Sequence, residues 1–220
     1  MSFFPALLRR VVGGEHLDAQ QTAEAFGAIM DETLSSIQAS ALLAALATKG
    51  EAASEIVGAA RAMRERSLHV EHGLDAIDVC GTGGDGAGTI NISTAVSFVL
   101  AGAGLPVAKH GNRAASSRCG SADVLEALGV KIDVSPDEAA HQLTRHNITF
   151  LFAQHYHPAM RVVGPIRREL GVRTIFNMLG PLTNPARARR QVVGVPRESW
   201  VSLLGEALIE LGADAGAVVH

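Results

Sequence analysis

Up to about residue 66, apolar positions recur three and four apart, which is the spacing of one helix face. Asp18 stands where a cap belongs, ahead of a stretch in which Ala23, Phe26, Ile29 and Met30 keep that spacing. Residues 34–49 are rich in Ala and Leu, and Gly50 follows as a helix stop. Residues 54–66 give a third amphipathic helix. Nothing in this part looks catalytic. It reads as a helical subdomain, residues 1–70, whose apolar faces pack internally or on a second subunit.

From Leu74 the pattern changes. Short apolar runs at 76–80, 106–109, 148–153, 192–195 and 217–219 predict strands, and 91–103, 122–128, 136–146, 158–170 and 198–211 predict helices between them. Such alternation defines an α/β domain, residues 74–220, with a mostly parallel central sheet covered by helices. Ligands in these sheets bind at the carboxyl ends of the strands. The unusual residues of this sequence fall there.

Composition narrows the picture. Aromatics are 4% of a chain that is 47% hydrophobic, so the core is built from Ala, Val, Leu and Ile, which suits helices packed closely on a sheet. A net charge of −3 gives no field that would attract nucleic acid or an anionic membrane. Cys80 and Cys119 are too few for a disulfide framework, and reduced thiols are expected. The opening apolar run is too short for a signal peptide, and no stretch offers the ~18 apolar residues of a membrane span. The reading is a soluble cytoplasmic protein.

Three stretches carry chemistry. In the first, DVCGTGGD (residues 78–85) leads through GAGTINISTA from a strand end, across a glycine-dense loop, to a helix start near Asn91. Glycines let the backbone approach an anion, and the helix start offers N–H groups at a positive dipole end. Thr89, Asn91, Ser93 and Thr94 add short polar side chains, and Asp85 is placed to orient the loop or hold a ligand hydroxyl. No GK[ST] closes the loop and no strict G-x-G-x-x-G is present, which disfavours a P-loop and a dinucleotide fingerprint.

In the second, KHGNRAASSRCGSAD (residues 109–123), a strand delivers Lys109 and His110, Gly111 turns the chain, and Asn112, Arg113, Ser116 and Ser117 crowd a short loop. Two cations and several donors at one strand end suit a phosphate or diphosphate. Ser121 is placed equally well to cap the following helix or to touch a ligand, and Cys119 reads as a buried small residue rather than a nucleophile. In the third, residues 154–185, His155 and His157 follow a strand and Pro158 starts a helix carrying Arg167 and Arg168. The His-x-His pair lacks further local ligands for zinc. Arg167 is able to present a planar fork to a carboxylate. Residues 177–185 read as a packed hinge, and Arg187, Arg189 and Arg190 as a solvated basic turn.

The strings DVCGTGGDG, NISTA, KHGNRAASSRCGSADVLEALG and RRELGVRTIFNMLGPLTNP, in this order and spacing, closely resemble the signature segments of the anthranilate phosphoribosyltransferases. The resemblance extends over essentially the whole chain. That family shares its fold group with the pyrimidine nucleoside phosphorylases, which have a KHG-type motif but different residues around Asn112 and after Arg113.

The resemblance implies that Gly81, Gly84, Asp85, Thr89, Asn91, Ile92, Ser93 and Thr94 hold 5-phosphoribosyl-1-pyrophosphate (PRPP), with Ser93 helping to bind Mg²⁺. Lys109, His110, Gly111, Asn112, Arg113, Ala114, Ala115, Ser116, Ser117 and Ser121 complete the PRPP site. Anthranilate lies near Gly81, Asn112 and Arg167, with His110 and His157 lining its channel. It also implies tryptophan biosynthesis and a homodimer through the N-terminal helices. The family's acidic Mg²⁺-binding pair follows a strand that corresponds here to residues 217–219, and the sequence stops at His220. On that reading this length of chain binds metal poorly, turns over slowly or not at all, and leaves an exposed sheet edge. Nucleoside phosphorolysis and non-catalytic nucleic-acid binding are the competing readings. Scarce aromatics and the negative charge oppose the latter.

Overall fold

The computed structural model describes residues 3–84, 86, 88–114 and 119–220. Helix α1 (Phe4–Val12) buries Phe4, Leu7 and Val11 and has a proline in its first turn. Helices α2 (Ala19–Met30) and α3 (Ser36–Lys49) follow, with capping boxes of Asp18 with Gln21 and Ser35 with Gln38. Gly50 ends α3 at φ 88°, where a side chain would be strained. Helix α4 (Ala53–Glu65) packs on α2 at very short range. A Cβ at Gly58 would lie 2.3 Å from the Ala19 carbonyl oxygen and 2.6 Å from Thr22 Cβ.

The α/β part runs β1 (Ile77–Gly81), α5 (Ile92–Gly102), β2 (Val107–Gly111), α6 (Ser121–Ala127), α7 (Pro136–His146) and β3 (Ile148–Phe152). Then come α8 (Ala153–Tyr156), α9 (Met160–Leu170), α10 (Phe176–Leu179), β4 (Arg190–Gly194), α11 (Ser199–Glu210) and β5 (Ala215–Val219). All described strands pair in parallel, in the order β3-β2-β1-β4-β5. The chain therefore winds outward from β1 on one side and returns to its other side with β4. This makes the β1/β4 boundary a topological switch point, where the strand ends open a crevice.

The sequence placed Pro158 at a helix start. The structure instead ends α8 at Tyr156 and begins α9 at Met160, leaving Pro158 between them. The hinge expected at 177–185 is packed, since it contains most of α10 and a short 3-10 turn, Gly180–Leu182, with Pro181 and Leu182 buried. The largest core cluster joins α1–α4 to Val163 of α9, Phe176 of α10, and residues of β4 and α11. The helical layer thus recruits α9 and α10 from far along the chain. Among the described residues, no helix is long and apolar enough to cross a membrane.

Candidate active site

Strands β1, β2 and β4 each end in glycine, at Gly81, Gly111 and Gly194. Gly81 and Gly194 sit side by side in the ladder, and a Cβ on Gly81 would lie 3.3 Å from the Gly194 carbonyl oxygen. A cleft of about 670 Å³ opens here, lined by Gly81, Gly83, Thr89, Asn91, Ser93 and Gly194 among others. Gly83, Gly84, Gly86 and Gly88 all have φ between 65° and 75°, so the glycine loop depends on a conformation other residues avoid.

Helix α5 begins at the cleft. Its N-cap, Asn91, makes no side-chain cap bond, and although the Ile92 and Thr94 amides turn back on the Ile90 and Asn91 carbonyls, the positive end of the helix dipole opens on the cleft. Thr94 is buried there, with no partner for its hydroxyl. Lys109 is 3% exposed and donates to the Val79 carbonyl at 2.7 Å and to Ser93 Oγ at 3.3 Å. A buried ammonium thus lies directly behind the helix start.

Asp78, fully buried on β1, lies beneath it. It accepts from the His110 amide at 3.1 Å, while its second oxygen has no partner. Burial pushes its carboxyl up to about 6, against the pull of Lys109. Sequence reading did not assign Asp78 a role. The available signal was an acid inside an otherwise apolar central strand.

Strand β2 runs through Gly111, so the glycine serves a close approach rather than the turn expected of it. A Cβ there would meet Ser121 Oγ at 2.3 Å and Phe150 at 2.7 Å. Gly120, not Ser121, is the N-cap of α6, and Ser121 donates to the Asn112 carbonyl at 3.2 Å. Asp123 accepts from the amides of Gly120 (2.7 Å) and Ala114 (3.0 Å), which brings Ala114 to the start of α6. Arg113 is held by Glu126 at 2.5 and 2.8 Å and by Asp123 at 3.2 Å, so its guanidinium is engaged by carboxylates. Asn112 Oδ1 accepts from Gln154 at 3.3 Å. Cys119, read as buried, is exposed. Asp85, Ala115, Ser116 and Ser117 lie outside the described residues.

His110 and His157, far apart in sequence, meet Nε2 to Nε2 at 3.2 Å, and both are buried. His110 Nδ1 lies 2.9 Å from the Gly180 carbonyl, which only accepts. His110 therefore carries its proton on Nδ1, and His157 donates from Nε2. Burial pushes both imidazoles down, to about 4 for His110 and about 3 for His157. Near pH 7 the pair is neutral.

A pH dependence follows. Below the ordinary imidazole pKa of about 6.5, the unfolded chain takes up two protons that the folded pair refuses, so acid destabilises by up to about 1.4 kcal/mol per pH unit for each histidine. Asp78 opposes this, because its raised carboxyl favours the folded state in acid and that gain is lost as pH rises from 3.8 to about 6. Two histidines outweigh one carboxyl, so denaturant midpoints should fall between pH 6 and pH 4. The same series on His157→Asn should show a shallower decline, and an equal slope would remove the pair as the cause.

Arg167 on α9 is half-buried and stacks 5.7 Å over Phe176. Burial alone lowers its pKa, and no described carboxylate pairs with it. Arg173, in the loop after α9, donates to the Gly84 carbonyl at 2.6 Å, a contact sequence reading did not find. It ties the helical layer to the glycine loop. Arg173→Ala should speed amide hydrogen exchange at Gly83, Gly84 and Gly86 while leaving that of β1 unchanged. Equal protection in both proteins would show that the loop holds itself.

Mg²⁺ takes oxygen ligands and is usually bound through one or two carboxylates plus substrate phosphates. Ser93 fits as one hydroxyl ligand, but the described residues contain no cluster of three acidic, His or Cys groups able to hold a metal. They do not form a metal site by themselves.

A cleft at the switch point of a parallel sheet defines a ligand-binding α/β protein, and family comparisons make the class specific. The model described as "Glycosyl transferase family, a/b domain" matches residues 73–220, and that described as "Glycosyl transferase family, helical bundle domain" matches 5–67. The chain belongs to this glycosyl transferase family. Within it, the chain is similar to the anthranilate phosphoribosyltransferases. The one from Rhodopseudomonas palustris (strain BisB18) is 50% identical over 220 residues, which is 100% of this chain and 65% of the relative. The solved structure of the Thermus thermophilus protein matches with a TM-score of 0.90 at 47% identity, covering 94% of this chain and 63% of that one. The Saccharomyces cerevisiae protein, solved in complex with PRPP and Mg, gives a TM-score of 0.88 at 29% identity, covering 97% and 64%. The chain spans about 65% of the length of the curated relatives it matches.

Proposed function

We propose that the chain belongs to a cytoplasmic anthranilate phosphoribosyltransferase of tryptophan biosynthesis. It moves the 5-phosphoribosyl group of PRPP to the amine of anthranilate and releases pyrophosphate. The observation that carries this reading is the meeting of an uncapped helix start, a glycine loop and buried Lys109 at one strand edge. These are the groups a diphosphate leaving group needs.

In the reaction the anthranilate nitrogen forms a bond to ribose C1 as the C1–O bond to pyrophosphate breaks, and the amine then loses a proton to solvent or product. Lys109, the α5 amides and the glycine-loop amides offset the charge that collects on the leaving oxygens. Mg²⁺ supplies further charge neutralisation when bound with the diphosphate, and Ser93 is the described residue suited to touch it. Arg167 takes the anthranilate carboxylate, and Gly81 lets the ring lie close to the strand end. The aromatic amine is already unprotonated at neutral pH. It needs orientation more than a strong base, so no general base is assigned to the neutral His110–His157 pair. Exposed Val12 and Ile37 on the N-terminal helices are apolar surface that a homodimer through those helices would cover.

The test is loss of anthranilate fluorescence on adding PRPP and Mg²⁺, with each omitted in turn. Loss that requires PRPP supports the transfer, and a further requirement for Mg²⁺ supports the metal. Absence of loss together with thymidine cleavage by phosphate would replace this reading with nucleoside phosphorolysis.

A further inference from the structure

At the amino edge of the sheet, away from the cleft, lies a second cavity of about 460 Å³. Arg61 and Arg64, one turn apart on α4, form one wall, and Arg187 and Arg189, leading into β4, form the other. Ala188 is buried between the last two, which are both exposed. Arg187 holds a left-handed φ of 50°, a strained conformation for a residue with a side chain.

The four guanidinium groups are unequally satisfied. Arg189 is paired with Asp214 at 2.5 Å, and Arg61 reaches Glu210 only at 3.5 Å. Arg64 is bound by the Leu182 carbonyl at 2.7 Å and the Leu211 carbonyl at 3.4 Å, Arg187 lies 3.2 Å from His69 Nε2, and no described carboxylate lies within ion-pair distance of either arginine. Glu65 also lines the cavity, but it lies 3.6 Å from Arg66. The acidic groups nearby therefore leave part of the arginine charge uncompensated. Arg64 bears the effect, since burial, then Arg187, then Arg61 lower its pKa to about 10.

We infer that this cavity binds a small phosphate-class oxyanion, held between the α4 arginines and the arginines that lead into β4. A monocarboxylate offers oxygens to one fork, whereas a tetrahedral phosphate presents them to both walls at once. The volume suits a free anion or a small phosphate ester rather than a polymer. Occupancy would tie the helical layer to the sheet at the end opposite the reaction cleft.

The test follows the side-chain Nε–Hε resonances of Arg64 and Arg187 during titration of the 220-residue chain at constant ionic strength. Inorganic phosphate, pyrophosphate and ribose 5-phosphate are the three arms, with chloride as control. A saturable shift with at least one phosphate and none with chloride is expected, and the arm that saturates at the lowest concentration identifies the source. Arg61→Gln with Arg187→Gln changes two exposed side chains and should weaken that binding at least about tenfold. Lys109→Met, which disables the reaction cleft, should leave it intact, so this site and the proposed transfer can fail separately. Shifts that only track ionic strength, or saturation unaffected by the double substitution, would overturn the inference.

Discussion

Replacing Lys109 with methionine should weaken binding of PRPP by about 10- to 100-fold, the loss expected for a charge-assisted hydrogen bond worth about 1.5–3 kcal/mol. Methionine keeps most of the apolar stem, so the change isolates the ammonium. That group is 3% exposed and fixed by Val79 and Ser93, which makes it pre-aimed at the start of α5 rather than free to find a ligand. The substitution has a second consequence, because Lys109 is the cation that pulls against the burial of Asp78. Without it the Asp78 carboxyl should titrate still higher, and the loss of stability that begins near pH 3.8 should continue beyond pH 6. Calorimetric titration with PRPP measures the first effect, and denaturant midpoints against pH measure the second. Unchanged PRPP affinity would remove Lys109 from the donor site.

The largest effect on stability is expected from Gly58→Ala. The added methyl carbon would be driven into the Ala19 carbonyl oxygen, 2.3 Å away, and Thr22 Cβ, 2.6 Å away, so α2 and α4 would have to part. Overpacking of this kind costs about 3 kcal/mol. In a chain of this size that should lower the melting temperature by about 6–12 °C. Gly164→Ala is the matched control, because that helical glycine has nothing within 4 Å of an added Cβ. Helix propensity alone should make it stabilising by about 0.5–1 kcal/mol. Equal melting temperatures for Gly58→Ala and wild type would mean the two helices have room to separate at little cost.

What the sequence made legible was mainly local. Asp18 announces α2 because its carboxylate has one short-range task, and Gly50 ends α3 because the backbone there needs φ 88°. The glycine loop and polar helix start were readable for the same reason, since Gly81, Thr89, Asn91 and Ser93 are close in sequence and meet at one cleft. Partnerships across long sequence distances were not. Helical periodicity shows that α9 and α10 bury a face, but not that the face meets α2, α3 and α4. Arg113 looked available for phosphate because nothing adjacent neutralises it, yet Glu126 arrives one helix later. Arg173 carries no local sign that its partner is Gly84. The contact between His110 and His157 was implied only as far as family resemblance placed both in one channel.

The start of α5 has a further meaning. Helices α2, α3 and α7 finish their first turns with the side chains of Asp18, Ser35 and Ser135, whereas α5 has no such group of its own. A phosphate seated there would bring α5 the negative charge that Asp18 brings α2, so the substrate becomes a missing piece of secondary structure. Binding and helix completion would then be the same event, and substrate concentration would act as a folding variable. At a hundredfold excess over the dissociation constant, the linked stabilisation is about 2.7 kcal/mol. The exchange rate of the first α5 amides would then report how much of the protein in a cell is carrying its donor.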